Sequence, residues 1–394
     1  MTGVFAIEPL DPADIDQLAP LWAALLDHVA ALPGALVPVR PADESWPLER
    51  REMLDALAAD AFVLVARAAG RTVGYAFVVI EGPDPVWYTG ESHAVLAALS
   101  VEPGVRGTGV GSALLDAVDE ELARRGVEDV EIGVDTGNHT AARLYESRGY
   151  RPDFRIFYGS PGRKPWACLR REEQDRRAGR GRFAPAAAPE APEWRAAPPD
   201  VDAGGTDAGD VLPVTAPAAA SATPDPFVIE PLPPEQLDSL EPLWHVMQED
   251  HVGLWDGLPG RAPDDSWRRR RQRYAEWLAT TDSFVPVARS SDRLVGYFMV
   301  AVAEGDETFA TGDRLAELES LVVLHEERGN AVGERLFQAG MRRLEELGVD
   351  DVISGVLHGN TFARRFHVRH GFVPFVDFLY AKRADIQAAG RGRP

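Results

Sequence analysis

The chain has 394 residues, 45% of them hydrophobic and 26% charged, which suits two domains each large enough to bury a core. A formal net charge of −21 argues against a phosphate-binding surface for DNA or RNA, and no apolar run approaches the roughly 20 residues of a membrane span. Cys168 is the single cysteine, so an internal disulfide and a thiolate zinc cluster are excluded; the start, Met1–Glu8, lacks a basic and apolar leader, and a cytoplasmic protein with no metal is expected.

In chain order, the pattern predicts a short strand at Val4–Ile7, then a helix in which Leu18, Leu21, Trp22 and Leu25 recur at helical spacing. A second helix starts near Trp46. Strands follow at Ala61–Ala66, Arg71–Ile80 and Ala94–Val101. A glycine-rich turn leads to a helix from Gly109 to Arg125, a strand at Val130–Val134, a short helix from Asn138 to Arg148 and closing strands. Helices before and after a central run of strands indicate an α/β (α+β) class, with a mixed central sheet flanked by helices.

The same order occurs twice. Phe5–Leu10 recurs as Phe227–Leu232, Leu21-Trp22 as Leu243-Trp244, Val73–Tyr75 as Val295–Tyr297, Arg106-Gly107 as Arg328-Gly329 and Asn138 as Asn360, all at one offset of 222 residues. Matches at one spacing from end to end of each half indicate a duplicated domain. The expected units are 1–172 and 226–388, packing against each other within the chain. Between them, 173–225 is rich in Pro, Ala and Gly and has almost no aliphatic periodicity, so it reads as a disordered linker. Its basic start, Arg176–Arg182, reads as solvated, and Arg391–Pro394 as a frayed tail.

The stretch Leu99–Leu115 carries the chemistry. A strand ends, glycines at 107, 109 and 111 let the backbone bend tightly, and an amphipathic helix begins. The exposed amides and dipole of that helix make a site for a pyrophosphate, and Arg106 adds a charged fork. A P-loop is excluded because no Gly-Lys-Ser/Thr follows, and a dinucleotide-binding turn needs another glycine spacing near the start of a βαβ unit. Arg106, Gly109 and Gly111 instead resemble the Arg/Gln-x-x-Gly-x-Gly/Ala motif of the GNAT superfamily of N-acetyltransferases. Asn138–Tyr150 resembles that superfamily's Asn-x-x-Ala-x-x-x-Tyr-x-x-x-Gly-Phe/Tyr segment, and the resemblance covers both halves as a tandem two-domain member.

The resemblance implies two tandem acyl-CoA N-acyltransferase domains whose fourth and fifth strands splay, with acetyl-CoA as co-substrate and its pantetheine arm in the gap. Backbone groups of Leu99, Ser100 and Val101 would hold that arm. Arg106, Gly107, Thr108, Gly109, Val110 and Gly111 would hold the pyrophosphate, and Asn138 and Tyr145 complete the cofactor-binding set. A primary amine attacks the thioester directly, Tyr145 protonates the departing thiolate, and a base or water relay deprotonates the amine. In the first half, His93, Glu91 and Asp135 are open choices for that base.

The second half departs from the pattern. Ala331 replaces Gly109, His325 stands opposite Pro103, and His367 occupies the position of Tyr145. Glu319 lies on the strand from which the family often takes its base and is a candidate there, where the first half has Ala97. The run Ser266–Tyr274 reads as a helix with Trp267, Tyr274 and Trp277 inward and its arginines on a solvated face. Three functions stay open: acetylation of a small-molecule amine, acetylation of protein lysines or amino termini, and a ligand-binding module. The intact Arg106–Gly111 loop with Tyr145 favours an enzyme over a pure binder.

Overall fold

The computed structural model describes residues 5–34, 37–84, 86–87, 90–159, 227–254 and 258–391. The expected linker, Cys168 and both inner domain boundaries lie outside the described residues. In the first half, β1 (Ala6–Pro9), α1 (Ala19–Ala30) and α2 (Ala42–Ala59) precede β2 (Ala61–Ala68), β3 (Arg71–Glu81) and β4 (His93–Val101). Next come α3 (Val110–Arg125), β5 (Asp129–Asp135), α4 (His139–Glu146) and β6 (Arg151–Gly159). The second half repeats this with β7 (Val228–Pro231), α5 (Glu241–Leu254), α6 (Pro263–Thr280), β8 (Pro286–Ser290), β9 (Arg293–Glu304) and β10 (Arg314–Val323). It continues through α7 (Val332–Leu347), β11 (Asp351–Leu357), α8 (Thr361–Arg369) and β12 (Val373–Lys382). A terminal helix, α9 (Arg383–Arg391), follows β12, and the expected tail beyond Arg391 lies outside the described residues.

The two halves do not keep separate sheets. One 12-stranded sheet runs β1-β2-β3-β4-β5-β12-β6-β11-β10-β9-β8-β7, so each closing strand is inserted beside the other half's penultimate strand. Each core is completed the same way: Phe157 of β6 is buried in the second half's cluster, while Leu379, Ala381 and Ile386 are buried in the first. Paired bonds fasten the exchange. Tyr380 donates its hydroxyl to Asp129, and Tyr158 donates to Asp351, the matching pair at the repeat offset. Where β6 and β12 cross the pseudo-twofold axis, the matching positions 155 and 377 face each other as Arg155 and Asp377, with Nη2 to Oδ2 at 2.8 Å.

The fourth and fifth strands part as the motif predicts. β4 pairs in parallel with β5 only over Ala94–Leu96, and β10 with β11 only over Leu315–Glu317. A bulge follows at once in each half. Ala97 is the extra residue on β4 opposite Phe77 and Val78, and Glu319 is the extra residue on β10 opposite Val300 and Met299. A bulge re-aims the strand and ends regular pairing, which leaves the edge of Leu99–Val101 facing a gap.

Candidate active site

The first half's loop is held open by its own backbone. Arg106 donates from Nε to the Val101 carbonyl at 3.0 Å, and Thr108 Oγ1 donates to the Val105 carbonyl at 2.7 Å. Gly109 then takes φ +95°, a left-handed conformation that favours glycine, and α3 starts at Val110 with no acid in its first turn. A Cβ at Gly109 would meet no protein atom within 4 Å, so the surface before the helix is clear. First-turn amides lack intrahelical acceptors and carry the positive end of the helix dipole. Among the described residues Arg106 has no carboxylate partner. This arrangement can hold a doubly charged anion.

The other expected cofactor residues divide into two groups. Leu99 and Val101 are half-buried in the splayed segment, whereas the Ser100 hydroxyl is committed to the Leu21 carbonyl at 2.8 Å, leaving only its backbone for a ligand. The Val110 side chain is buried in the core and also offers only its amide. Asn138 caps α4 by accepting from the Ala141 amide at 3.1 Å. Its side chain also bonds His28, whose imidazole is held below the usual range by burial first and by the Arg106 charge second. Tyr145 is buried at 6% exposure beside Tyr150, ring centroids 5.9 Å apart, and burial pushes its phenol above the usual value. It therefore stays protonated at neutral pH, as a proton donor must.

The second half closes the same loop with charge. Ala331 is forced to φ +60° at the cap of α7, where a side chain costs about 1–2 kcal/mol. Arg328 bonds the Val323 carbonyl at 3.2 Å, as Arg106 bonds Val101, but its outer nitrogen is taken by Asp250 at 2.5 Å. His325 Nε2 sits 2.9 Å from the same carboxylate. Partial burial works to raise the Asp250 pKa, yet the hydrogen bonds from Arg328 and His325 outweigh it and hold the carboxyl below the usual range. Glu334 adds a second acid in the first turn of α7. His367, at the place of Tyr145, is also occupied: Nδ1 lies 2.8 Å from the Ala363 carbonyl and Nε2 2.8 Å from Ser354 Oγ.

On the opposite face, α6 reaches the second half's bulge, and α2 is its counterpart in the first half. Ser45 accepts from Trp22 Nε1 at 3.1 Å and Ser266 from Trp244 Nε1 at 2.9 Å, which fixes the two helices in equivalent positions. Equivalent ion pairs, Arg50–Asp16 and Arg271–Asp238, pin their outer sides. One turn further on, the inward residue is Glu49 in the first half and Arg270 in the second. Arg270 lies over the Trp244 ring at 4.9 Å and is ion-paired with Glu319. That pairing revises two expectations. Glu319 is no free base, because its carboxylate is ion-paired with the Arg270 guanidinium. Arg270 is no solvated arginine, although Trp267 and Tyr274 pack inward as the spacing indicates.

In the first half neither partner of that ion pair is present. Ala97 at the bulge is exposed and carries only a methyl, and Glu49 is 8% exposed with no cation bound to it among the described residues. Of the open base candidates, His93 is engaged by the Gly82 carbonyl at 3.0 Å and by Glu81 at 3.7 Å, and Glu91 is exposed. Asp135 ends β5 on the same face as Glu131 and Gly133, and burial pushes its carboxyl up to about 6. Sequence reading missed Glu49, His28 and Asp250. The signal was there in the repeat offset, where His28 stands opposite Asp250.

Comparison with known proteins agrees with this geometry. A model of the acetyltransferase (GNAT) family matches residues 26–150 and again 244–372, together more than half of the chain. Mycothiol acetyltransferase of Thermobispora bispora is 37% identical over 117 residues, 28% of this chain and 37% of that protein. The counterpart from Thermomonospora curvata is 32% identical over 124 residues, 31% of this chain and 39% of that protein. The chain thus spans less than two fifths of the length of these relatives. Among solved structures, a GCN5-related N-acetyltransferase from Sphaerobacter thermophilus superposes with a TM-score of 0.54 at 17% identity, covering 96% of both chains. A tandem GNAT protein from the clavulanic acid biosynthesis pathway gives 0.51 at 17% identity, covering 96% of this chain and 99% of the other. With a bulged, splaying strand pair in each half leading through a left-handed turn into a helix, and a family match in each half, the chain belongs to the acetyltransferase (GNAT) family as a tandem member.

Proposed function

We propose that the first half, within 1–172, is an acetyl-CoA-dependent N-acetyltransferase acting on a primary amine of a small molecule, and that the second half, within 226–388, keeps the fold with its cofactor loop closed. The observation that carries this reading is the contrast between Arg106, free of any carboxylate among the described residues, and Arg328, held by Asp250. A pyrophosphate meets a cation and bare helix amides in one loop, and a cation already neutralised beside two acids in the other.

The thioester supplies the activated acyl carbon. Arg106 and the amides from Gly107 to Gly111 bind and orient the co-substrate, and the unpaired edge of Leu99–Val101 receives its arm. Tyr145 gives its proton to the leaving thiolate, the task for which a neutral, buried phenol is suited. Calorimetric titration of acetyl-CoA into the full chain tests the assignment together with an assay of free thiol release over a panel of amines. Arg106→Ala should weaken binding roughly 10–100-fold and Arg328→Ala should leave it nearly intact. The opposite result would move the working site to the second half.

A further inference from the structure

Building on the proposed acetyl transfer, we infer that the first half takes a polycationic amine in a carboxylate-lined acceptor pocket to which the second half lends Asp306 and Glu307, and that Glu49 removes the proton from the attacking nitrogen. The pocket is the space that the Arg270–Glu319 pair fills in the second half. Position 270 is Glu49 in the first half and position 319 is Ala97, so one wall is a carboxyl and the other a bare bulge beside the strand gap. A bound ammonium would restore there the charge pairing that the second half makes internally.

Two further observations mark the space as a binding site. Tyr75, fully buried on β3, has no hydrogen-bond partner for its hydroxyl, and the Glu49 charge adds to burial in raising its phenol well above the usual value, so the two groups are neighbours. A buried hydroxyl without a partner costs about 1–3 kcal/mol unless something arrives to satisfy it. The second-half equivalent is not left so: Tyr297 lies 3.5 Å from Tyr274, which donates to Ser320 at 2.7 Å.

The loop between β9 and β10 closes the pocket from the other half. Ser45 donates to the Glu307 carbonyl at 2.8 Å, Arg40 donates from its amide to Thr308 at 2.9 Å and from Nε to the Asp306 carbonyl at 2.8 Å, and the Ala310 amide returns to Pro38 at 2.7 Å. One Asp306 oxygen accepts the Thr308 and Phe309 amides at 2.8 and 2.7 Å. Asp306 and Glu307 thus bring negative charge to Glu49 and Glu52, Asp306 also to Asp135, and Arg40, bonded to the loop, is the cation beside Asp306. Burial first, then Glu52, Glu307 and Asp306, pushes Glu49 up to about 8. So many acids around one base select an acceptor with more than one positive charge.

The step balances within the site. An ammonium gives one proton to the Glu49 carboxylate, and the freed nitrogen attacks the acyl carbon. The C–N bond forms as the C–S bond breaks; the thiolate takes a proton from Tyr145, and the proton shed by the acylated nitrogen makes good that loss through solvent.

The test is calorimetry of the full chain saturated with coenzyme A at pH 7, titrated with spermidine, propylamine and glutamate in buffers of different ionisation enthalpy. Spermidine should bind at least tenfold more tightly than propylamine, and glutamate should not bind. Because Glu49 holds a proton at pH 7 and a cation favours its ionised form, binding should release about one proton. Glu49→Gln should abolish that release and weaken spermidine at least tenfold, Asp306→Asn should weaken it several-fold, and acetyl-CoA affinity should not change. In a thiol-release assay Glu49→Gln should lower kcat by roughly 10²–10⁴-fold. Folding is checked separately. A carboxyl whose folded pKa is raised gives its stability below the unfolded value, and that contribution is lost as pH rises toward 8. Glu49→Gln should therefore melt at or above the wild-type temperature at pH 8. Equal spermidine binding and proton release in wild type and Glu49→Gln, or a preference for glutamate, would overturn the inference. Failure of wild-type protein to bind acetyl-CoA would instead overturn the proposed transfer.

Discussion

The two halves hold the same backbone at their cofactor loops and differ in what surrounds it. Arg106 and Arg328 each bond the carbonyl five residues back, at 3.0 and 3.2 Å, and residues 109 and 331 both turn left-handed before the helix. What changes beside the arginine is the occupant of one position on α1 and α5. His28, kept short of charge by burial and by Arg106, leaves the first loop positive, whereas Asp250 neutralises the second. The acceptor sides repeat the lesson, since Arg270 is ion-paired with Glu319 where the first half has Glu49 and Ala97. A duplicated fold can thus lose a site without losing its shape. Internal ion pairs put protein charges where ligand charges would go, and the sheet needs neither ligand.

That contrast is most sharply exposed by removing the acid. Tyr145→Phe deletes one hydroxyl and leaves the ring against Tyr150, so kcat should fall by roughly 10²–10⁴-fold in steady-state assays while stability moves by no more than about 1 kcal/mol. His367→Ala should do the reverse, lowering the melting temperature because both ring nitrogens are bonded in the core, and sparing turnover. Dependence of kcat on His367 with Tyr145→Phe unimpaired would exchange the roles of the halves.

Next in size is the cofactor affinity. Losing a charge-assisted fork of about 1.5–3 kcal/mol should weaken acetyl-CoA roughly 10–100-fold in Arg106→Ala, against less than about twofold in Arg328→Ala. The comparison can also be broken by restoration. Asp250→His combined with Ala331→Gly and Glu334→Ser gives the second loop the first loop's residues at those three positions, and the calorimetric stoichiometry should rise from one acetyl-CoA per chain toward two. A stoichiometry fixed at one would mean that something other than those three side chains closes the loop.

The smallest expected effect lies on the axis between the halves. Arg155 and Asp377 occupy matching positions and face each other, so two like halves would set Arg against Arg or Asp against Asp. Asp377→Arg should destabilise the chain by about 1–3 kcal/mol, discounted for a pair that is about a quarter exposed, and adding Arg155→Asp should recover most of it in a double-mutant cycle. Full additivity of the two substitutions would remove the pair's role in matching unlike halves.

Local features were legible in the sequence because they depend on near neighbours. The glycine turn, the Asn138 and Asn360 caps, the strand and helix order and the repeat itself follow from spacing and backbone preference, and all lie close to where the pattern put them. The second helix begins at Ala42 rather than near Trp46, and helix α9 was missed, because its buried Ile386 finds its partners, Leu115 and Val130, some 250 residues away. Tertiary structure alone decided the rest. No periodicity says that β6 and β12 change places, because both satisfy the same hydrophobic pattern beside either neighbour. Nor does spacing tell a carboxylate that meets a guanidinium from one that does not: Glu319 stands on the strand where a base was sought, yet Arg270 on α6 holds it, while Glu49, on a helix with no motif, is buried with no cation bound to it among the described residues. Charge pairing across the sheet depends on distance in space, and that distance is set only when the helices dock.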